Sequence, residues 1–184
     1  LKFSQSENEK IIKFNRLNKI IATKKIWCAS STHHNEELYC GLVHKKLKKK
    51  YKNILTIIIP RHIERTPSII SELSKLNLNI CTHESKKKVH DNLDIYIIDS
   101  YGKTKSVYNF CKSIFLGGSL INHGGQNPLE ATRYGCNILH GPNVNNFKEI
   151  YDYLAKLKLS SKIYNHSELS TKLENLFSKK NNSK

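Results

Sequence analysis

The sequence of 184 residues contains no methionine. A complete translation product begins with this residue, so we expect the chain to be processed or to be a fragment of a longer protein. Long apolar runs are also missing, since no run approaches the roughly 20 residues that a membrane-spanning helix needs. No signal-peptide pattern opens the sequence. From these absences we expect a soluble, cytoplasmic piece of protein with one core.

Two kinds of sequence motif are absent as well. The five cysteines are odd in number and never form a CxxC pair, which disfavours a disulfide framework and a zinc ribbon. The nucleotide fingerprints GxGxxG and GxxxxGK followed by Ser or Thr do not occur, which disfavours NAD and P-loop chemistry. We expect reduced, mostly buried thiols. We also expect no metal and no cofactor, because the spacing of His34, His123 and His140 matches no standard ligand set.

The chain is strongly basic, with a formal net charge of +16. The densest group of lysines, in residues 45–50, ends a predicted helix, where the helix dipole stabilises cations. A solvated helix end, an anionic membrane and a nucleic acid are the alternative explanations of this group. We expect no nucleic acid partner, because the aromatic residues are not interleaved with arginine in a stacking pattern.

Short apolar runs alternate with helical patterns along the whole chain. The predicted strands are residues 25–29, 54–59, 78–82, 95–98, 113–116, 137–140 and a short segment near 163. The predicted helices are residues 7–21, a segment that Asn35 is expected to cap and that runs to about residue 50, a segment from 66, 105–111, 129–134, 145–157 and a segment from 167. This alternation predicts an α/β fold, a Rossmann-like, doubly wound and mainly parallel sheet with helices on both faces.

Polar or glycine-rich residues follow five of the predicted strands, and ligands of such sheets bind beyond the carboxyl ends of the strands. We therefore expect five loops to converge on one edge of the sheet: Ser31-Thr32-His33, Pro60-Arg61-His62, Asp99 to Gly102, Gly117-Gly118-Ser119 and His140-Gly141-Pro142.

The stretch GGSLINHGGQNPLE, residues 117–130, is the most informative of these segments. Two glycine pairs follow a predicted strand and permit a sharp turn or a close approach to a ligand. Asn127 is expected to cap the next helix, and Pro128 suits the first helical position. A strand, a glycine loop and a helix start together predict a phosphate-accepting cradle, with Glu130 as a buried carboxylate beside it.

Six motifs, taken in order, resemble those of the Kdo transferases, which move 3-deoxy-D-manno-octulosonic acid (Kdo) from CMP-Kdo to a lipid A precursor. The opening Leu1-Lys2-Phe3 is similar to the inter-domain segment of that family. The other matches are WCASSTHHNEE from Trp27 with W-A-x-S-T-H-x-x-E-E, Pro60 to Arg65 with P-R-H-x-x-R, Asp99 and Gly102 with D-x-x-G-E, residues 117–130 with G-G-S-L-x-x-x-G-G-x-N-P-L-E, and Gly141 to Phe147 with G-P-x-x-x-N-F.

This resemblance implies the C-terminal half of a GT-B glycosyltransferase. Residues 1–184 are then a single nucleotide-sugar-binding domain, and the N-terminal acceptor domain with its general-base glutamate is absent. The whole enzyme would act in lipopolysaccharide biosynthesis at the cytoplasmic side of the bacterial inner membrane, as a peripheral protein. The chain alone would bind CMP-Kdo without transferring Kdo.

The resemblance also implies roles for individual residues. Glu130 would bind the ribose hydroxyls of CMP, Arg61 the phosphate, and Lys2 would stabilise charge in the transition state. The implied CMP-binding residues are Pro60, Arg61, Tyr101, Gly102, Lys103, Asn127, Pro128, Leu129 and Glu130. Further candidate donor contacts are Ser31, Thr32, His33, Gly117, Gly118 and Ser119.

The sequence departs from the family pattern at two points. Lys103-Thr104 stand where the family has Glu-Leu, and Gln126 stands where it commonly has histidine. Lys103 retains its backbone groups and adds a cation, which suits an anionic ligand. Gln126 keeps hydrogen-bonding capacity and loses a titratable proton.

Alternative interpretations remain for these residues and for the chain. Glu130 is also explained as an ordinary first-turn glutamate, Asn127 as a plain cap, and Arg61 as the partner of Glu64 or Glu72 in a surface ion pair. For the chain, the alternatives are a GT-B donor domain that uses a UDP-sugar, a basic nucleic-acid-binding module and a non-catalytic structural domain.

Overall fold

The computed structural model describes residues 14–181, and within them a single sheet of seven strands runs through the fold. The strands are β1 (Lys25–Thr32), β2 (Ile54–Pro60), β3 (Ile80–Thr82), β4 (Ile95–Ile97), β5 (Ser113–Leu116), β6 (Asn137–His140) and β7 (Ser160–Lys162). Their order across the sheet is β3-β4-β2-β1-β5-β6-β7, and all neighbouring pairs are parallel.

Within residues 14–181, seven α-helices precede, connect or follow the strands and cover both faces of the sheet. They are α1 (Asn18–Thr23), α2 (Glu36–Lys50), α3 (Thr66–Ser74), α4 (Thr104–Phe110), α5 (Leu129–Arg133), α6 (Lys148–Lys156) and α7 (His166–Asn181). Short 3₁₀ turns at Ile63–Arg65 and Asn145–Phe147 precede α3 and α6. One core contains side chains of α1, α4, α5 and α6, and the other contains those of α2, α3 and α7. The predicted doubly wound α/β fold is therefore confirmed.

The central strands are buried on both faces, because helices cover both sides of a parallel sheet. Every residue of β2 and β5 is buried. Successive side chains of a strand point to opposite faces, so Ile57 packs in one core and Ile58 in the other. Continuous apolar runs in the sequence therefore correspond to these strands.

The boundaries differ from the predicted ones where turn residues occur inside an element. The prediction ended β1 at residue 29, but it continues to Thr32 through an irregularity at Ser31, whose φ is 55°. Asn35 precedes α2 in a left-handed conformation, and its side chain makes no capping hydrogen bond, so its predicted cap is wrong. Helix α5 has only five residues. Among the described residues before β1, the helix begins at Asn18, later than predicted.

Two further observations concern the cysteines and the helices. None of the five cysteines forms a disulfide bond, and four of them are buried. Within residues 14–181, the helices are too short or too polar to cross a membrane.

The strand order reverses beside β1, and this reversal positions the candidate site. Strands β2, β4 and β3 lie on one side of β1, and β5, β6 and β7 lie on the other. The loops that follow β1 and β5 therefore leave the sheet in opposite directions and open a crevice between them. In doubly wound sheets, ligands bind at such a switch point, beyond the carboxyl ends of the strands.

Candidate functional site

The crevice between β1 and β5 lies next to the glycine loop, by which we mean residues 117–126. Gly117 donates its N–H to the carbonyl of Ser30 at 2.8 Å, which joins the ends of the two strands. A Cβ atom at Gly117 would lie 2.4 Å from the carbonyl oxygen of Ser31 and 2.7 Å from Cα of Thr32. Only glycine permits this close approach of the two backbones.

A group of cationic and polar side chains lies beside this close approach of β1 and β5. We call His33, Arg61, His62, His123 and Gln126 the basic cluster. The ring of His33 lies 4.1 Å from that of His123 and 5.9 Å from that of His62, measured between centroids. Nε2 of His33 lies 3.4 Å from the amide nitrogen of Gln126. These side chains come from the loops after β1, β2 and β5, so three of the predicted loops meet here.

The environment of His33 disfavours its protonated form. Only 9% of this residue is exposed. Burial, followed by the neighbouring His123, His62, Arg65 and Arg61, lowers the pKa of His33 to about 4. A nearby anion would offset this positive potential, so the cluster favours an anionic ligand.

Arg61 is exposed at the end of β2. Its backbone N–H donates to the carbonyl of Thr32 at 3.0 Å, which fixes the start of its loop against β1. Among residues 14–181, its guanidinium group forms no salt bridge, so the alternative of an ion pair with Glu64 or Glu72 is not observed. His62 lies 3.6 Å from Glu64 instead. The guanidinium of Arg61 is therefore available to a ligand.

A second group of polar residues lies where α4 and α5 begin. Glu130 on α5 lies 4.0 Å from Nζ of Lys105 on α4. Its side chain is 42% exposed, so the expectation of a buried carboxylate is wrong: α5 presents Glu130 at the surface and buries Ala131 instead. Tyr101 is 66% exposed. Gly102 has a φ of 77° and completes the turn that enters α4.

Ser100 stands immediately before this turn and was not predicted as a site residue. Its hydroxyl is buried and has no hydrogen-bond partner within the described part of the chain. Buried polar atoms are normally paired, so a ligand or a water is expected to complete it. Its motif neighbours Asp99 and Gly102 mark the position in the sequence, although no pattern singles out the hydroxyl itself.

The predicted cradle of loop amides is already occupied by a side chain of the chain itself. Oε2 of Glu36 accepts hydrogen bonds from the N–H groups of His33 at 3.0 Å and Gly118 at 2.8 Å. Oε1 accepts those of Ser119 at 3.2 Å and Leu120 at 3.0 Å. Burial raises the pKa of Glu36, and these N–H groups oppose the rise. The expectation that these amides bind a phosphate is therefore corrected.

Two more residues of the motifs, Ser119 and Thr32, hold the loops together. The hydroxyl of Ser119 donates to the carbonyl of Leu116 at 2.5 Å and accepts the N–H of Gly141 at 2.8 Å. The hydroxyl of Thr32 donates to Glu37 at 2.9 Å. Both residues are fully buried. Since their polar groups are used inside the protein, we remove Ser119 and Thr32 from the candidate donor contacts.

The segment Gly141 to Phe147 and Tyr151 of α6 form hydrogen bonds with the glycine loop. Asn146 donates its N–H to the carbonyl of Gly124 at 3.1 Å, and its side chain would lie 2.4 Å from a Cβ at that glycine. The hydroxyl of Tyr151 donates to the carbonyl of Gln126 at 2.8 Å. This motif therefore determines the loop's shape.

The remaining predicted residues fall as follows. Oδ1 of Asn127 accepts the N–H of Leu129 at 3.0 Å, so its side chain caps α5 from two residues before the helix bounds. Lys2 lies outside the described residues. Among residues 14–181, no group of three or more His, Cys, Asp or Glu side chains is arranged to hold a metal.

Comparisons with known proteins show relatives of the chain in sequence and in fold. No protein-family model matches the chain. The chain is 32% identical to the 3-deoxy-D-manno-octulosonic acid transferase of Haemophilus influenzae over 135 residues, which cover 73% of the chain and 32% of that protein. It is 30% identical to the enzyme of the same name from Aquifex aeolicus over 154 residues, 83% of the chain and 42% of that protein.

A solved structure has the same fold. The C-terminal CMP-Kdo binding domain of WaaA from Acinetobacter baumannii matches with a TM-score of 0.81 and 20% identity, and the match covers 90% of the chain and 91% of that domain. The chain spans about a third to two fifths of the length of the curated relatives that it matches. Over the part that it covers, the chain belongs with the 3-deoxy-D-manno-octulosonic acid transferases and has the Rossmann-like fold of a C-terminal GT-B domain.

Proposed function

We propose that the chain is the donor-binding domain of a glycosyltransferase that transfers Kdo from CMP-Kdo to a lipid A precursor. The observation that supports this most directly is that one edge of the sheet carries both the basic cluster and the exposed carboxylate of Glu130. A nucleotide sugar offers complementary groups: an anionic phosphate for the cluster and ribose hydroxyls for a carboxylate.

Within this proposal, side chains of the basic cluster bind the phosphate that the strand, the glycine loop and the helix start were expected to receive. Arg61 binds the phosphate with its planar guanidinium group. His33 and His123, whose rings lie 4.1 Å apart, provide ring N–H groups that can donate hydrogen bonds to the same phosphate. The negative charge that develops on CMP as it leaves is stabilised by these fixed groups rather than by a metal.

The nucleoside would lie towards α4 and α5. Glu130 accepts hydrogen bonds from the ribose hydroxyls, while the turn at Tyr101, Gly102 and Lys103 offers main-chain groups to the base. Leu129 provides exposed apolar surface, the buried Pro60 and Pro128 fix the backbone at the end of β2 and before α5, and Asn127 holds the start of α5. The floor of the donor site is formed by the backbone of Gly117 and Gly118 and by Ser31. Ser31 is half-buried where the ends of β1 and β5 approach each other.

For the whole enzyme, we propose direct displacement at the anomeric carbon of Kdo. An acceptor hydroxyl, deprotonated by a carboxylate of an N-terminal domain, attacks that carbon as CMP leaves, and no covalent intermediate forms. Lys2, which belongs to the segment that resembles the inter-domain segment of the family, would stabilise the charge. The enzyme would act at the cytoplasmic face of the inner membrane, where the lipid acceptor is found.

A titration of the 184-residue chain with CMP tests the donor site. We expect amide resonances of residues 101–103 and 117–130 to shift, and we expect Arg61→Gln to weaken CMP binding about tenfold or more. Arg133→Gln, which removes an exposed arginine of α5, is the matched control. The absence of shifts at millimolar CMP would contradict the proposal.

The same titration separates the alternatives. Tighter binding of UDP than of CMP would favour a donor domain for UDP-sugars. Binding of oligonucleotides that ignores CMP and falls steeply with added salt would favour a nucleic-acid-binding module.

A further inference from the structure

One buried carboxylate connects the two loops that flank the crevice. Glu36 is the first residue of α2, and none of it is exposed. It receives the N–H of His33 from the loop after β1. It also receives the N–H groups of Gly118, Ser119 and Leu120 from the loop after β5. The four donors converge from segments more than 80 positions apart in the sequence.

The position of Gly118 shows what this connection controls. Gly118 has a φ of 65°, and a Cβ there would lie 2.9 Å from Cδ2 of His123 and 3.3 Å from Cδ2 of His33. The basic cluster therefore packs directly on the backbone of Gly118. Oε2 of Glu36 binds both the Gly118 and the His33 amides. One carboxylate oxygen thus sets the spacing between the loop and the histidine ring above it.

The chemistry requires an ionised carboxylate at this place. All four groups are N–H donors, and a carboxylate offers acceptor sites only. A glutamine would keep one acceptor oxygen but place an NH₂ group against two of the backbone donors. Those two donors would then be buried without an acceptor.

We infer that Glu36 is a positioning residue for donor binding, because it holds His33 and the 118–120 turn in the arrangement that receives the donor's anionic group. This inference rests on the proposed function. It also predicts that the amides of residues 118–120 stay bound to Glu36 in the complex, so that the phosphate is bound by side chains of the basic cluster.

The test compares Glu36→Gln with a variant that removes a buried carboxylate at the opposite edge of the sheet. Asp94 precedes β4 and is almost fully buried. We expect Glu36→Gln to shift the amide resonances of Gly118 and Leu120 in the free protein and to weaken CMP binding about tenfold or more. Asp94→Asn is expected to lose stability while its CMP affinity stays within about twofold of the wild type.

Glu36→Asp keeps the charge and shortens the side chain by one methylene group. It is expected to bind CMP with an affinity between those of the wild type and Glu36→Gln, since a shorter carboxylate reaches fewer of the four donors. If Glu36→Gln does not fold, the CMP affinity of Glu36→Asp is compared with that of the wild type instead. A merely structural role would lower the stability of either variant and leave the CMP affinity of the folded fraction unchanged.

The outcomes separate this inference from the proposed function. A wild-type chain that shows no response to CMP overturns the proposed function, and the inference with it. A wild-type chain that binds CMP, together with a folded Glu36 variant that binds it equally well, overturns the inference alone. Loss of the Gly118 and Leu120 contacts to Glu36 when CMP binds would also overturn it.

Discussion

The guanidinium group of Arg65 donates two hydrogen bonds to the carboxylate of Glu37, at 2.9 and 3.1 Å. Glu37 is fully buried on α2, and Arg65 lies in the 3₁₀ turn after β2. The hydroxyl of Thr32 donates to the same carboxylate. This bidentate pair therefore joins the loops after β1 and β2, from which His33, Arg61 and His62 project. Two motifs that stand apart in the sequence meet in this one contact.

Removing the Glu37 charge is expected to destabilise the chain strongly. Glu37→Gln leaves the Arg65 guanidinium without its anionic partner, which should lower the free energy of unfolding by about 3 kcal/mol. Arg65→Lys should cost about 1–2 kcal/mol, because an ammonium group cannot form the two parallel hydrogen bonds. Urea unfolding followed by circular dichroism measures both values. A loss below 0.5 kcal/mol in Glu37→Gln, a roughly surface-like value, would contradict the buried pair.

Gly117 and Gly135 provide a matched pair for the close approach at the crevice. Gly117→Ala puts a Cβ against the backbone of Ser31 and Thr32, so we expect it to cost about 3 kcal/mol or to prevent folding. Gly135 has a φ of 68° but open space around the Cβ position. Gly135→Ala should cost only about 1 kcal/mol, from the left-handed backbone alone. Equal losses of stability in the two variants, measured by thermal unfolding, would contradict the close approach of Gly117 to Ser31 and Thr32.

Local patterns predicted most elements because they depend on short-range signals. The apolar run of β5 is bounded by Lys112 and a glycine pair, and its predicted bounds coincide with those of the strand. In contrast, Ser30 to Thr32 have the composition of a turn, and the prediction ended β1 before them. Parallel pairing with Ile59 and Pro60 of β2 extends the strand through them, which is a long-range effect that composition does not contain.

The site was predicted less completely than the fold, because its polar contacts join distant residues. The glycine loop was predicted as the centre of the region, but Glu36 was not predicted as the partner of its amides. Two adjacent glutamates at the start of a helix, Glu36 and Glu37, are ordinary first-turn residues by pattern. Only the folded chain shows that both are buried and that each binds a different loop.

Glu130 is expected to contribute to nucleotide affinity rather than to stability. Glu130→Gln should weaken CMP binding about tenfold, because hydrogen bonds to an ionised acceptor are stronger than those to an amide oxygen. The free energy of unfolding should change by less than about 0.5 kcal/mol, since the side chain is exposed and its contact with Lys105 is long. Glu149→Gln on α6 is the control for an exposed first-turn glutamate. Unchanged CMP affinity in Glu130→Gln, measured by calorimetry, would leave the carboxylate without a role in binding.

The buried His33 predicts a loss of stability on mild acidification. Its pKa in the folded state, about 4, lies below the ordinary value of 6.5, so the unfolded state binds more protons between these values. The stability that neutral His33 provides is therefore complete above about pH 6.5 and declines as the pH falls towards 4. His33→Gln should flatten the profile of unfolding free energy against pH in this window. His83→Gln is a comparison, because burial also lowers the pKa of His83, away from the basic cluster. A His33→Gln profile as steep as that of the wild type would contradict the assignment.

Asp94 predicts a separate loss at lower pH, at the opposite edge of the sheet. Burial opposes its ionisation, but hydrogen bonds from His44 at 3.1 Å, Lys48 at 2.5 Å and the N–H of Asn79 at 2.9 Å outweigh this effect and hold the pKa of Asp94 well below its usual range. A depressed carboxylate pKa stabilises the fold above the ordinary value of 3.8, and this contribution is lost as the pH falls below it.

Asp94→Asn should therefore lower the unfolding free energy by about 2 kcal/mol at neutral pH, where the wild-type carboxylate is ionised in both states. The difference between variant and wild type should remain constant down to about pH 5 and shrink below about pH 4, because only the wild type loses the charged contacts there. Thermal unfolding of both proteins across this range measures the difference. If the difference in unfolding free energy stays the same below about pH 4, then packing, and not the ionised carboxylate of Asp94, connects β4 to α2 at this edge.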